Sequence, residues 1–461
     1  MRGGPRRRLP AAQASRITPM ETAATARHAS ALLASDVTKL TDSLTRLPDR
    51  PGQRTEAFFE RLETVELLPK GTHNRLRLRR ERGLSVRRIE AGSSRLASAD
   101  TISGHAFASC CDRVTGTAGS IGPPPRIRTG RWPPLRLAEI ERAERQLARA
   151  VNRRRVGFPM DVTVRRHRRQ VQVICGHMSA PSQFEEYFSL HLETPWGFWG
   201  GLLPSLADED LDPVATCLVD RLRSRNLPEH SNTPRVIVLG PCAAAVMLHE
   251  VVAHTLEADT LALTGAPESV VGLKLGRDDL DVVDDPRLAP DGCGRFSDDE
   301  GTTVIARWLL RGGRVRQPLA DLCWAGRHQR LVPGAARRAS RHMLPGPRTT
   351  HLELLPSDTP EAELFHEAAG GLYIGEFESG TLNPFDGGCV LRAPCARRLG
   401  ASGPVDFVGP VELRSRTTDL LAAVTAVGDR PLAAGAGWCA KDGALLPVWA
   451  RSPSVRLEGL V

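Results

Sequence analysis

The segment AAAVMLHEVVAHTLEAD, residues 243–259, constrains the fold more than any other stretch of the chain. Ala, Val, Met and Leu on both sides predict a buried helix, yet the segment also carries His249, His254 and the carboxylate of Glu250. Buried polar and charged groups are costly unless they are paired or bound to a metal. A zinc site would supply the reason for them. Neutral imidazoles are good zinc ligands, and a carboxylate beside the first His can activate a bound water. Zinc brings the pKa of such a water to about 7, within reach of a glutamate base.

The spacing complicates this reading. Histidines four apart share one helix face, as in the HExxH arrangement. His249 and His254 stand five apart, about 140° around an ideal α-helix. They can converge only if the helix widens locally, as a π-bulge allows, or ends near His254. On spacing alone, a metal pair and a hydrogen-bonded core pair remain equal alternatives. A further ligand must come from elsewhere. Glu257 and Asp259 suit the support of a ligand imidazole through its far nitrogen. The best distant ligand is Cys439, set among small residues in AGAGWCAKDGALLPV, since a thiolate binds zinc strongly. The alternative for Cys439 is an inert buried thiol.

At these residues the sequence resembles the TldD/PmbA family, also called modulators of DNA gyrase. MLHEVVAHTLEAD is similar to the family's histidine-glutamate-three-residue-histidine segment, and CAKDGALLPV, residues 439–448, to its cysteine-containing ligand segment. Between them, SDDEGT (297–302), RRASRHMLPGPRTTHLEL (337–354) and GLYIGEFESGTLNPFDGGCVL (371–391) also look like the family. The resemblance runs from about residue 235 to 461, and more faintly into ERGLSVRRIEAGSSRLASAD (81–100). It implies a zinc-dependent peptidase acting on small or unfolded polypeptides. His249, His254 and Cys439 would be the metal ligands and Glu250 the general base. Asp298, His342 and Arg348 become candidates for lining the cleft, beside Glu257 and Asp259. The resemblance also implies a metal-bearing subunit, paired with a paralogue that lacks the motif, or a homodimer. Ala253, Ala258 and Ala440 stand where the family has glycine, and Ala444 where it has glutamine. These departures open a second reading, a catalytically impaired subunit that acts as a binding or regulatory partner.

The rest of the chain sets the frame. Its 461 residues suit more than one core. The expected organisation is a basic N-terminal extension over 1–55, an α+β domain over 56–230 and a C-terminal metallopeptidase domain over 235–461. The first twenty residues read as disordered, and Met20 is an alternative start to Met1. A short helix is expected within Ala23 to Leu44. Patterned segments begin near residue 73, with a hairpin turning at Gly83, and a second hairpin flanks the arginines between Val164 and Val171. Helices are expected around 101–114, 137–151 and 208–225, and PWGFWGGLLP is expected as a turn. Beyond 300 the pattern is of strands. The fold class is α+β, with an N-terminal α/β-mixed domain ahead of a mostly antiparallel β domain that carries one metal-binding helix.

No run of eighteen apolar residues suggests a membrane helix. The ten cysteines form no CxxC pair, which fits a reducing cytoplasm. Net charge is +9 overall, but +19 within residues 1–170 and −10 beyond them. Solvated arginine is the simpler reading of the basic half. Nucleic-acid binding is its rival, with few aromatic residues in support.

Overall fold

The computed structural model describes residues 34–47, 52–70, 73–123, 125–127, 137–153, 160–176, 178–195, 197–230 and 235–460. The expected disorder of the first twenty residues and the choice of start lie outside these. The fold is α+β and its sheets are mostly antiparallel. The largest has thirteen strands and runs through both halves of the chain. At one end Gln53–Lys70 pairs with His73–Glu90 and with Asp161–Cys175, which pairs in turn with Gln183–Thr194 and this with Gly197–Leu203. The sheet then passes to C-terminal strands where Leu202 meets Ala436, continuing through Leu432–Lys441, Ala444–Ser452 and His351–Leu354. A six-stranded sheet holds Val236–Leu239 at its centre, and a three-stranded sheet is built of Ser379–Leu382, Gly388–Ala393 and Val411–Arg416. The helices form close to the expected positions: Ala34–Thr45, Gly104–Thr115, Leu137–Arg153 and Asp208–Ser224.

The N-terminal half departs from the expected pattern in an instructive way. Patterned structure starts at Gln53, not near 73, and His73–Glu90 is one continuous strand with no turn at Gly83. Gly83 is required for another reason: a Cβ there would lie 2.2 Å from the Ala99 carbonyl oxygen and from the Arg341 side chain. Asp161–Cys175 is likewise unbroken at its arginines, and Gly197–Leu203 is a strand rather than a turn.

The arginines at positions 75–80 are exposed, as a solvated face requires, but others are not. Arg87, Arg166, Arg168 and Arg169 are buried, and each is paired. Arg87 meets Glu56 and Glu300, Arg166 meets Glu186, Arg168 meets Glu63 and Glu186, and Arg169 meets Glu60. Cross-strand opposite charges stabilise neighbouring strands, and inside a folded sheet they must be paired to be tolerated at all. The Arg87–Glu300 pair reaches across the halves, and it is not alone. The turn at Asp298–Glu300 and the stretch from Arg337 to Arg341 are the C-terminal pieces that dock onto the N-terminal strands.

Two histidines, the half-buried His167 and the buried His351, make stability depend on pH. Burial, with Arg165 adding, pushes the pKa of His167 down to about 4. Burial does the same for His351, partly opposed by Asp285. In the unfolded chain histidine titrates near 6.5, so there the unfolded state binds more protons than the folded one. The stability these groups contribute is therefore present above about pH 6.5 and is lost as pH falls toward 4, at up to about 3 kcal/mol for each. Urea unfolding of wild type and His167→Gln at neutral and mildly acid pH checks this. The variant keeps a partner for Ser189, which lies 2.8 Å from the His167 ring nitrogen. It should lose less stability on acidification than wild type, and an equal loss refutes the assignment.

Candidate metal centre

The buried strand Val236–Leu239 ends at Gly240, and Pro241 opens a helix at the position where a missing N–H costs nothing. That helix is α over Pro241–Leu248 and becomes a π-helix over His249–His254. With i→i+5 hydrogen bonding, residues five apart come to share a face, as residues four apart do in an α-helix. Ala243, Ala244, Met247, Leu248, Val251, Val252 and Leu256 bury the rest of the segment in the largest hydrophobic core. The apolar flanks thus hold the distortion in place.

The two imidazole rings meet edge to face, with centroids 4.5 Å apart. Cys439, 2% exposed, reaches them from Leu432–Lys441, with its Sγ 3.5 Å from His254 Nε2. One ligand atom from each of His249, His254 and Cys439 lies within 4.8 Å of the others. His249 Nε2 is buried with no hydrogen-bond partner, a costly position for a polar atom unless something binds it. The donor set of two imidazoles and one thiol suits a tetrahedral zinc-type ion with one position left open. The residues present therefore fit a metal.

Surrounding charges prepare the donors. Burial, with His254 adding, pushes the pKa of His249 down to about 3, which keeps it neutral. His254 has the opposite bias: burial disfavours its charge, but Glu257 and Cys439 outweigh this and hold its pKa well above normal. Its Nδ1 lies 3.0 Å from Glu257 Oε2, leaving Nε2 to face Cys439. Burial alone would raise the pKa of Glu257, yet His254, Arg348 and Lys441 bring it down to about 2. Glu250 is half-buried, and burial raises its pKa above that of an ordinary glutamate. The strand Ser379–Leu382 packs on it so closely that a Cβ at Gly380 would fall 2.5 Å from Glu250 Cγ.

Of the residues singled out from sequence, His249, Glu250, His254, Glu257, Asp259, Arg348 and Cys439 are brought into one neighbourhood. Arg348 binds Asp259 at 3.1 Å and Asp442 at 3.0 Å. Asp298 and His342 have other partners. Asp298 accepts from the backbone N–H groups of Glu300, Thr302 and Ala336, closing a turn. His342 is half exposed and bonds Asp100 and Ser98 on the N-terminal side. Sequence reasoning passed over Lys441, although it stands two residues beyond Cys439 on a strand and so shares its face. It also passed over Gly380. The four unusual alanines carry no backbone strain, since among the described residues only Ala91 and Asp442 have positive φ without being glycine.

Residues 234–461 match the family described as the PmbA/TldA metallopeptidase C-terminal domain, which makes this half of the chain a metallopeptidase-family domain. The chain belongs to the TldD/PmbA family. It is 26% identical over 226 residues to a metalloprotease TldD homolog of Buchnera aphidicola subsp. Acyrthosiphon pisum, covering 49% of this chain and 47% of that protein. It is 28% identical over 225 residues to a metalloprotease of Methanothermobacter thermautotrophicus, covering 48% of each. The chain spans about half the length of the curated relatives it matches. The fold is that of TldE from Thermococcus kodakarensis, with a TM-score of 0.69 at 14% identity over 92% of this chain and 99% of that one.

Proposed function

We propose that the chain is a zinc-dependent peptidase that hydrolyses peptide bonds in small or unfolded polypeptides. One observation carries this reading: His249, His254 and Cys439 converge within 4.8 Å beside a carboxylate, Glu250, on the same π-helical turn. Zinc held by these three residues would polarise a carbonyl and bring water toward ionisation at neutral pH. Glu250 takes the proton of the attacking water and passes it to the leaving amine nitrogen, a task its raised pKa suits. Glu257 holds the His254 ring through Nδ1, so that Nε2 stays turned to the site. The strand Ser379–Leu382 lies at the edge of its sheet against Glu250, where an extended peptide can add main-chain hydrogen bonds.

The proposed working form pairs this subunit with a paralogue, with a homodimer as the other arrangement. Ten free cysteines are in keeping with a reducing cytoplasm. Among the described residues no helix is long and apolar enough to cross a membrane. Arg87, Arg166, Arg168 and Arg169 are occupied in buried ion pairs, and this reading assigns no part to nucleic acid.

Chelation tests the assignment. Protein stripped of metal should lose hydrolysis of an unstructured peptide and regain it on addition of one equivalent of zinc. Turnover that survives complete stripping would end the metal assignment. Stoichiometric zinc with no turnover, alone or with a paralogue, would leave a binding subunit instead.

A further inference from the structure

The turn that follows Cys439 is built to hold that residue in place. Leu432–Lys441 and Ala444–Ser452 form a hairpin closed by Lys441 opposite Ala444. The two loop residues, Asp442 (φ 52°) and Gly443 (φ 75°), both have the left-handed backbone of a tight two-residue turn. Lys441 turns back from this tip toward the end of the histidine-bearing helix. Its Nζ lies 2.6 Å from Glu257 Oε2, 2.8 Å from Asp259 Oδ1 and 2.7 Å from Thr260 Oγ1. An ammonium has three N–H donors, and here each has an acceptor. Arg348, 5% exposed, spans the same gap from a third segment, joining Asp259 to Asp442.

We propose that Lys441, assisted by Arg348, is a positioning residue that staples the Cys439 hairpin to the His249–His254 helix, so that the donor set converges before a metal arrives. The inference rests on the metal reading above and adds to it the group that assembles the site. The stapled segments are more than 180 residues apart in sequence, with Lys441 and Glu257 separated by 184 positions. Without a lock, the freedom of the hairpin tip would have to be removed by the metal itself, at the expense of affinity. The acceptor is well chosen. Glu257 is fully buried and already fixes the His254 ring, so Lys441 connects the thiol donor to the imidazole donor through one carboxylate. Besides Lys441 and the His254 ring, Arg348 also approaches Glu257, at 3.7 Å.

Metal affinity, measured by competition with a chromophoric chelator, reads this role independently of turnover. Lys441→Met keeps the apolar stem and removes the charge. It should weaken zinc binding by about 10- to 100-fold, the range for groups that orient ligands. In cobalt-substituted protein the thiolate-to-metal absorption should weaken in the same variant, while the metal remains on the imidazoles. A merely structural lysine would lower thermal stability and leave affinity and absorption unchanged, and that result overturns the proposal. Should Lys441→Met fail to fold, Asp442→Asn at the exposed tip takes its place, with an expected loss of about 2- to 5-fold from one weakened ion pair. Unchanged affinity there overturns the proposal too. Wild type that binds no metal, or binds it equally well as Cys439→Ser, removes the metal reading and this inference with it. Wild type that binds through Cys439, beside an unaffected Lys441→Met, removes the inference alone.

Discussion

Replacement of Glu250 by Gln is expected to reduce peptide hydrolysis by roughly 10²- to 10⁴-fold, the contribution of a positioned general base, while zinc stoichiometry stays at the wild-type value. The amide has nearly the shape of the carboxylate, so it can sit beneath Gly380 without displacing that strand. It cannot accept the proton of the attacking water. The three candidate ligands are untouched, so binding and chemistry separate in one protein sample. The wild-type pH profile carries the same information. Burial raises the pKa of Glu250, so the acid limb of turnover should lie above the range of a free glutamate, with activity rising as the group loses its proton. Measuring kcat and bound zinc together settles the role: turnover within a few-fold of wild type would take the base assignment away from Glu250.

The centre was legible in the sequence because its chemistry conflicts with its setting. Imidazoles and a carboxylate within an apolar helix need a cause, and the five-residue spacing named the helical distortion that would let them meet. Residues 249–254 take that π-helical form. Cys439 could be selected because few residue types bind zinc, whereas Lys441 belongs to a type that is usually solvated. The N-terminal sheet was less legible for a related reason. Periodicity reads apolar residues as inside and charged ones as outside, but Glu56, Glu60, Glu63 and Glu66 are buried along Gln53–Lys70. Their partners include Arg87, Arg168 and Arg169, buried on neighbouring strands. Part of the charge pattern that resembled a solvated face is therefore an interior ladder, while Arg77 and Arg80 stay exposed. Gly83 misled in the same manner, since a glycine demanded by close packing looks in sequence like one demanded by a turn. Asp298 and His342 were drawn toward the cleft because they lie in family-like segments. Those segments fasten the C-terminal half to the N-terminal strands.

That fastening predicts the largest change in stability. Asp299 is fully buried and faces three guanidinium groups. Its carboxylate takes Arg295 and the backbone N–H of Arg338, the latter at 2.8 Å, and lies 3.5 Å from Arg169 Nη1. Burial by itself would raise its pKa, but Arg169, Arg295 and Arg338 outweigh burial and hold it well below the carboxylate range. Replacement by Ala strands cationic groups in the interior and leaves the Arg338 amide without its acceptor. Breaking one member of a buried ionic cluster costs about 3–5 kcal/mol, far more than an exposed pair is worth. Asp299→Asn keeps an acceptor but no charge, and should fall between wild type and Asp299→Ala. Since Arg169 belongs to Asp161–Cys175 and Asp299 to the C-terminal half, the damage falls on the junction between them. Denaturant unfolding of Asp299→Ala should therefore broaden or split into two transitions where wild type shows more nearly one. A loss below about 1 kcal/mol, the scale of a surface ion pair, with an unchanged single transition would show that the junction is held by packing alone.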